Sequence, residues 1–160
     1  MTATRQPTFR KLNEGLTVAV VGDLYRFLVT GKDTDGRYAT WEAIVPPGGG
    51  PPPHIHSREE ESFFVLEGEI TVHVDDERIV AKIGTFANMP VGSLQSFKNE
   101  TNKQARMIIS VAPAGLEEMF IEVGQQVMPD GNIPKPSKEE IDKMLAVASK
   151  YGVEIRVPMY

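Results

Sequence analysis

From residue 17 to residue 112 the chain runs as short apolar stretches, rich in β-branched and aromatic residues and soon interrupted by Gly, Pro, Asp or Asn. That texture leaves few folds open. Many short strands at close spacing must pair and close into a sandwich or a barrel. Strands are predicted over residues 17–21, 24–30, 38–45, 62–66, 70–74, 78–81, 85–88, 95–98 and 105–111. The turns at Glu67-Gly68-Glu69 and at Asp75-Asp76 are short enough to demand antiparallel hairpins.

Past Pro113 the period changes. Leu116, Met119, Phe120 and Val123 follow the i, i+3, i+4, i+7 spacing of an amphipathic helix, with Gly124 placed to close it. Ser137 and Glu140 form a capping box for a second helix, whose stripe is Ile141, Met144, Leu145 and Ala148. Both stripes are expected to pack on the barrel as core. Residues 153–157 are expected to add an edge strand. The fold class is therefore all-β with two C-terminal α-helices: residues 1–112 form the barrel with its N-terminal strands, and residues 113–160 form a helical tail of the same domain.

The 160 residues suit one domain, and 41% hydrophobic content is enough for a core. With 17 basic against 22 acidic side chains the net charge is −5, the wrong sign for phosphate backbones or an anionic membrane. Nucleic acid is not an expected partner. The absence of cysteine excludes disulfides, a thiolate nucleophile and sulfur-ligated metal sites, so a metal would need nitrogen and oxygen donors. The polar start and the lack of an apolar run near the roughly 20 residues that span a bilayer make a cytoplasmic protein the expectation.

The chemistry concentrates in GGGPPPHIHSREEESFFVLEGE, which starts at Gly48. His54 and His56 are two apart, so an extended strand puts both imidazoles on one face, as two ligands of a single ion require. Glu61 lies at an odd offset and would point away unless a turn or bulge intervenes. Ser57 to Glu60 can supply one, after which Glu61, Phe63 and Val65 share the inward face of the next strand. Two imidazoles and one carboxylate suit iron, nickel, manganese, cobalt, copper or zinc, and with open positions they match the facial triad of non-heme iron oxygenases. Glu59 and Glu60 are expected to be solvated turn charges whose field favours cation entry. His73 is expected on the surface, because Ile70, Val72 and Val74 look inward by alternation and send Thr71 and His73 outward. Gly48 to Gly50 lack the following Lys and Ser/Thr of a phosphate loop.

Gly48, His54, His56, Glu61 and Gly68 reproduce the spacing of the first motif of the cupin superfamily, and the sequence resembles that family. Its second motif is similar to GTFANMPVGSLQSFKN, with Gly84, Pro90, Gly92 and Asn99 in place. The resemblance implies a double-stranded β-helix, or jelly-roll barrel. It also implies a fourth metal ligand at the position of Gln95, where the family carries histidine. A neutral amide is a poorer donor than imidazole for late first-row metals, so Gln95 ligates weakly, orients a water, or marks a degraded site.

Within the superfamily the single barrel with its tail looks most like quercetinase-type flavonol dioxygenases. That likeness implies a divalent transition metal, O2 and a small-molecule substrate. It also implies that Glu61 is both ligand and catalytic base, taking the proton of the flavonol 3-hydroxyl. A flat substrate needs an apolar slot, for which Phe63, Met89 and Phe97 are the candidates, with Trp41 and Phe120 nearby. The alternatives are a non-catalytic or sensory cupin that binds a small ligand, and a metal-assisted isomerase or lyase. Phe64 and Leu66 make the opposite strand face apolar too, so either the tail helices or a second subunit must cover it; a homodimer is expected.

Overall fold

The computed structural model describes residues 4–156. Twelve strands appear in chain order: β1 Thr17–Val20, β2 Asp23–Val29, β3 Ala39–Val45, β4 His54–His56, β5 Glu60–Glu67, β6 Glu69–Val74, β7 Glu77–Lys82, β8 Phe86–Met89, β9 Leu94–Lys98, β10 Ala105–Ala112, β11 Gln125–Gln126 and β12 Val153–Ile155. Three α-helices, α1 Gly31–Thr34, α2 Leu116–Val123 and α3 Lys138–Val147, and a 3-10 turn over Ala148–Tyr151 complete the elements among the described residues.

The strands form two antiparallel sheets, β11-β1-β2-β3-β10-β5-β8 and β12-β4-β9-β6-β7, packed face to face as a jelly roll. Alternation decides which side chains go inside. On β3 it buries Ala39, Trp41, Ala43 and Val45, and on β10 Ala105, Met107, Ile109 and Val111. Pairing at Ile109↔Trp41 and Ile109↔Phe63 sets three large side chains side by side at the centre. Gly68 shows why the hairpin between β5 and β6 needs glycine. Its φ is +73°, and a Cβ there would lie 2.7 Å from the Gln104 carbonyl oxygen.

The tail departs from expectation at two points. Gly124 ends α2, but at φ −73° rather than in the left-handed region. Its missing side chain serves a close approach instead, since a Cβ would lie 2.8 Å from Val20 Cγ2 and 2.9 Å from the Ala19 carbonyl oxygen. Ser137 Oγ accepts from the Glu140 amide at 3.1 Å, but the Glu140 carboxylate does not return to close the box. It accepts from the Val21 amide at 2.6 Å and so ties α3 to the β1–β2 turn. Glu117, buried in α2, accepts from the amides of Gly31 and Gly115 at 2.8 and 2.7 Å and fixes the other end of the tail.

β12 pairs with β4, as the edge-strand expectation had it through Ile155; Val157 lies outside the described residues. Thr71, expected to point outward, shares the face of Val80 and Lys98 but is buried there, its hydroxyl donating to Glu100 Oε2 at 3.1 Å; His73, expected on the surface, is half-buried. The tail helices leave the outer face of β5 uncovered, with Phe64 42% and Phe86 64% exposed. Among the described residues no helix is long and apolar enough to cross a membrane.

Candidate metal centre

The segment carrying the histidines is extended because Pro51 to Pro53 lead into it with fixed φ and no spare donors. Its hydrogen bonds then come from far along the chain. β4 lies between β9 and β12, with His54 opposite Gln95 and Ile155, and His56 opposite Val153. Both imidazoles face inward and are buried. The chain next turns through Ser57 and Arg58, leaves one sheet for the other, and enters β5 with Glu61, Phe63 and Val65 inward. The turn thus resets the alternation that an unbroken strand would have imposed.

The three side chains meet. His54 Nε2 is 3.1 Å from His56 Nε2, which is 2.9 Å from Glu61 Oε2. One ligand atom from each residue lies within 4.8 Å of the others. Each ring is oriented through its other nitrogen. His54 Nδ1 sits 2.8 Å from the Pro52 carbonyl oxygen, and His56 Nδ1 sits 2.8 Å from Glu59 Oε1. With the proton on Nδ1, both Nε2 lone pairs and a carboxylate oxygen converge on one point, an arrangement that repels itself unless a cation or a proton lies between. Ligand atoms about 2.1 Å from a common ion and at right angles to each other stand about 3.0 Å apart, so the observed spacings fit a first-row divalent ion.

Glu59 corrects the sequence reading. It is 3% exposed, not a solvated turn charge, and its carboxylate holds His56 from behind. Such an outer carboxylate fixes ring orientation and raises imidazole basicity. Burial lowers the His56 pKa, but the carboxylates of Glu59 and Glu61 outweigh it and leave His56 at about 9. Burial also dominates at His54, whose pKa is lowered despite the pull of Glu61. Glu60 points out and accepts from Asn88 Nδ2 at 3.1 Å.

Gln95 is buried on β9 and stands in direct register with His54 and Val74, so it shares their inward face. Asn99, from the same stretch, is fully buried. Its amide donates to the carbonyls of Val45 and Lys103, and its oxygen accepts from Thr101.

An apolar cavity of about 120 Å³ opens against His54, His56 and Glu61. Trp41, Phe97 and Phe120 line it, as does Tyr25. Phe120 packs edge-on to Trp41 and Tyr25 at 5.5 and 4.9 Å between ring centres. Phe63 and Met89, the other two candidates for the slot, are core residues outside its lining; Phe63 stacks edge-on against Phe97. The helical stripes do more than fill the core, because Leu116, Met119, Ile141, Met144 and Leu145 form the wall opposite the barrel.

Residues 41–111 match the protein family described as Cupin domain. The chain is 25% identical over 154 residues to quercetin 2,3-dioxygenase of Bacillus subtilis (strain 168), covering 95% of this chain and 45% of the relative. It spans less than half the length of the curated relatives it matches. Among solved structures it resembles an RmlC-like cupin from Shewanella frigidimarina, with TM-score 0.59, 19% identity, and coverage of 74% of this chain and 99% of that one. A predicted oxalate decarboxylase from Thermotoga maritima matches at TM-score 0.59 and 17% identity, covering 68% and 99% of the two chains.

Proposed function

We propose that this chain, whose residues 41–111 match the Cupin domain family, is a cupin that holds one divalent transition metal through His54, His56 and Glu61 and oxygenates a small hydroxylated aromatic molecule. The observation that carries the reading is the convergence of three donors at the wall of an apolar cavity: His56 Nε2 lies 3.1 Å from His54 Nε2 and 2.9 Å from Glu61 Oε2, with one ligand atom of each residue within 4.8 Å of the others. When bound, such a metal supplies Lewis-acid activation of a substrate oxygen and a site for O2 chemistry. The chain's own part is to place the substrate and move its proton. Glu61 faces the cavity beside the two imidazoles and serves as base for a substrate hydroxyl brought to the metal. Glu59 holds the His56 ring while that proton moves. Trp41, Phe97 and Phe120 exclude water from the reacting end.

Cavity size limits the substrate. An engineered apolar cavity of about 150 Å³ accepts benzene, so about 120 Å³ admits roughly one ring. A three-ring flavonol, the substrate class of the quercetinase likeness, enters by one ring while α3 gives way. No residue of that helix is buried, and Ile141 and Leu145 are already exposed at the cavity wall. Gln95 at the fourth-ligand position favours a second reading, a cupin that binds such a molecule without turning it over. The uncovered apolar face around Phe64 and Phe86 supports a homodimer.

The test is oxygen uptake by metal-reconstituted protein with quercetin. One O2 consumed per flavonol, lost in Glu61→Gln, is the expected result. Flavonol binding without uptake would replace the oxygenase with the binding reading.

A further inference from the structure

The same cavity holds a carboxyl that the metal cluster does not use. Asp23 begins β2, directly after the Val21-Gly22 turn, whose φ angles of +45° and +88° swing the chain back over the cavity. Its side chain is 3% exposed, lines the cavity beside Tyr25 and Trp41, and leaves Oδ1 buried with no hydrogen-bond partner. Gly49 makes room for it, since a Cβ there would lie 2.5 Å from that same oxygen. A buried acceptor left unpaired is costly, so its persistence calls for a use.

We infer that Asp23 is a substrate-anchoring residue, its carboxyl taking the hydroxyl of a phenol-like ligand whose ring lies between Tyr25, Trp41, Phe97 and Phe120. The cavity is otherwise almost wholly apolar away from His54, His56 and Glu61, which makes a single polar anchor decisive for orientation. The protonation state fits the role. Burial raises the Asp23 carboxyl to about 8; the Gly50 amide and the Tyr25 hydroxyl are near enough to oppose the rise, but neither makes a well-formed hydrogen bond to Oδ1. At neutral pH it is therefore mostly a neutral acid, able to give and to accept a hydrogen bond and without attraction for a cation. Burial pushes the Tyr25 phenol well up, so the ring beside Asp23 is neutral as well. The inference rests on the proposed function only in taking the cavity's ligand to be aromatic. It needs neither metal nor oxygen.

The experiment is a fluorine NMR titration of the full chain, treated with chelator, with 4-fluorophenol and 4-fluorotoluene, which differ by a hydroxyl in place of a methyl. The parent is expected to bind the phenol at least about tenfold more tightly, because a site built around a polar group rejects an isostere that leaves it unpaired. That ratio should fall to about one in Asp23→Leu and survive in Asp23→Asn, whose amide also gives and accepts. It should survive in Glu61→Gln as well. No preference in the parent, or an unchanged preference in Asp23→Leu, overturns the inference. Loss of the preference in Glu61→Gln but not in the Asp23 variants places the hydroxyl at the metal end and overturns it too. Should Asp23→Leu not fold, the parent ratio and the Asp23→Asn and Glu61→Gln comparisons still decide. Failure of oxygen uptake with the ratio intact would remove the oxygenase reading and leave Asp23 as the anchor.

Discussion

Replacing Asp23 with asparagine keeps the shape of the side chain and removes its titration, which makes its effect on stability calculable. The carboxyl rises from 3.8 to about 8 on burial. The folded chain therefore keeps a proton that the unfolded chain gives up, so the contribution to stability is full below the unfolded value and is lost as pH rises through the folded one. Integrated from about pH 5 to about pH 8.5, a shift of this size removes about 4 kcal/mol from the parent. Asp23→Asn loses none of it. His56, also raised, is present in both proteins and cancels in the difference. Urea unfolding followed by the fluorescence of Trp41, the sole tryptophan, reads the result directly. The gap between parent and variant midpoints should change by about 2 M across that pH interval, in favour of the variant at the alkaline end. Equal pH dependence in the two proteins would show that Asp23 ionises freely in the folded chain, and the picture of an acid sealed in an apolar cavity would fall.

Other substitutions probe the remaining parts of the site. Glu59→Gln should weaken zinc or nickel binding by about 10- to 100-fold in calorimetric titration, since it loosens the His56 ring without touching the three converging atoms. Gln95→His should raise the same affinity by about tenfold or more, because imidazole is the better donor; unchanged affinity means that position 95 does not reach the ion. Asn99→Ala should lower stability by about 2–4 kcal/mol in denaturant unfolding, leaving the Val45 and Lys103 carbonyls without their donor.

The sequence carried the fold where residues act through local pattern. Alternation on β3, β5, β9 and β10 put the right side chains inside, and the spacing of His54, His56 and Glu61 anticipated both their shared face and the turn between them. It anticipated the extended strand at His54–His56 but was silent on which partners come from far along the chain. β4 is three residues long behind three prolines, and it exists because β9 and β12 supply its hydrogen bonds. β11, two glutamines paired with β1, has no pattern of its own. Neither does α1, which has four residues. Glu59 looked like a solvated charge because Arg58, Glu59 and Glu60 are uniformly polar, and only the crossing between sheets turns one of them inward. Glu140 fitted a capping box by spacing, yet the Val21 amide, 119 residues away, takes its carboxylate. Asp23 gave no signal, since an acid after a glycine turn is ordinary until the surrounding apolar wall is known.

Metal content tests the central claim most directly. After reconstitution and removal of free ion, elemental mass spectrometry should find about one divalent transition metal per chain in the parent and almost none in His56→Ala, whose fold is checked by circular dichroism. A parent that takes up no metal, or a folded His56→Ala that keeps as much as the parent, would contradict the account.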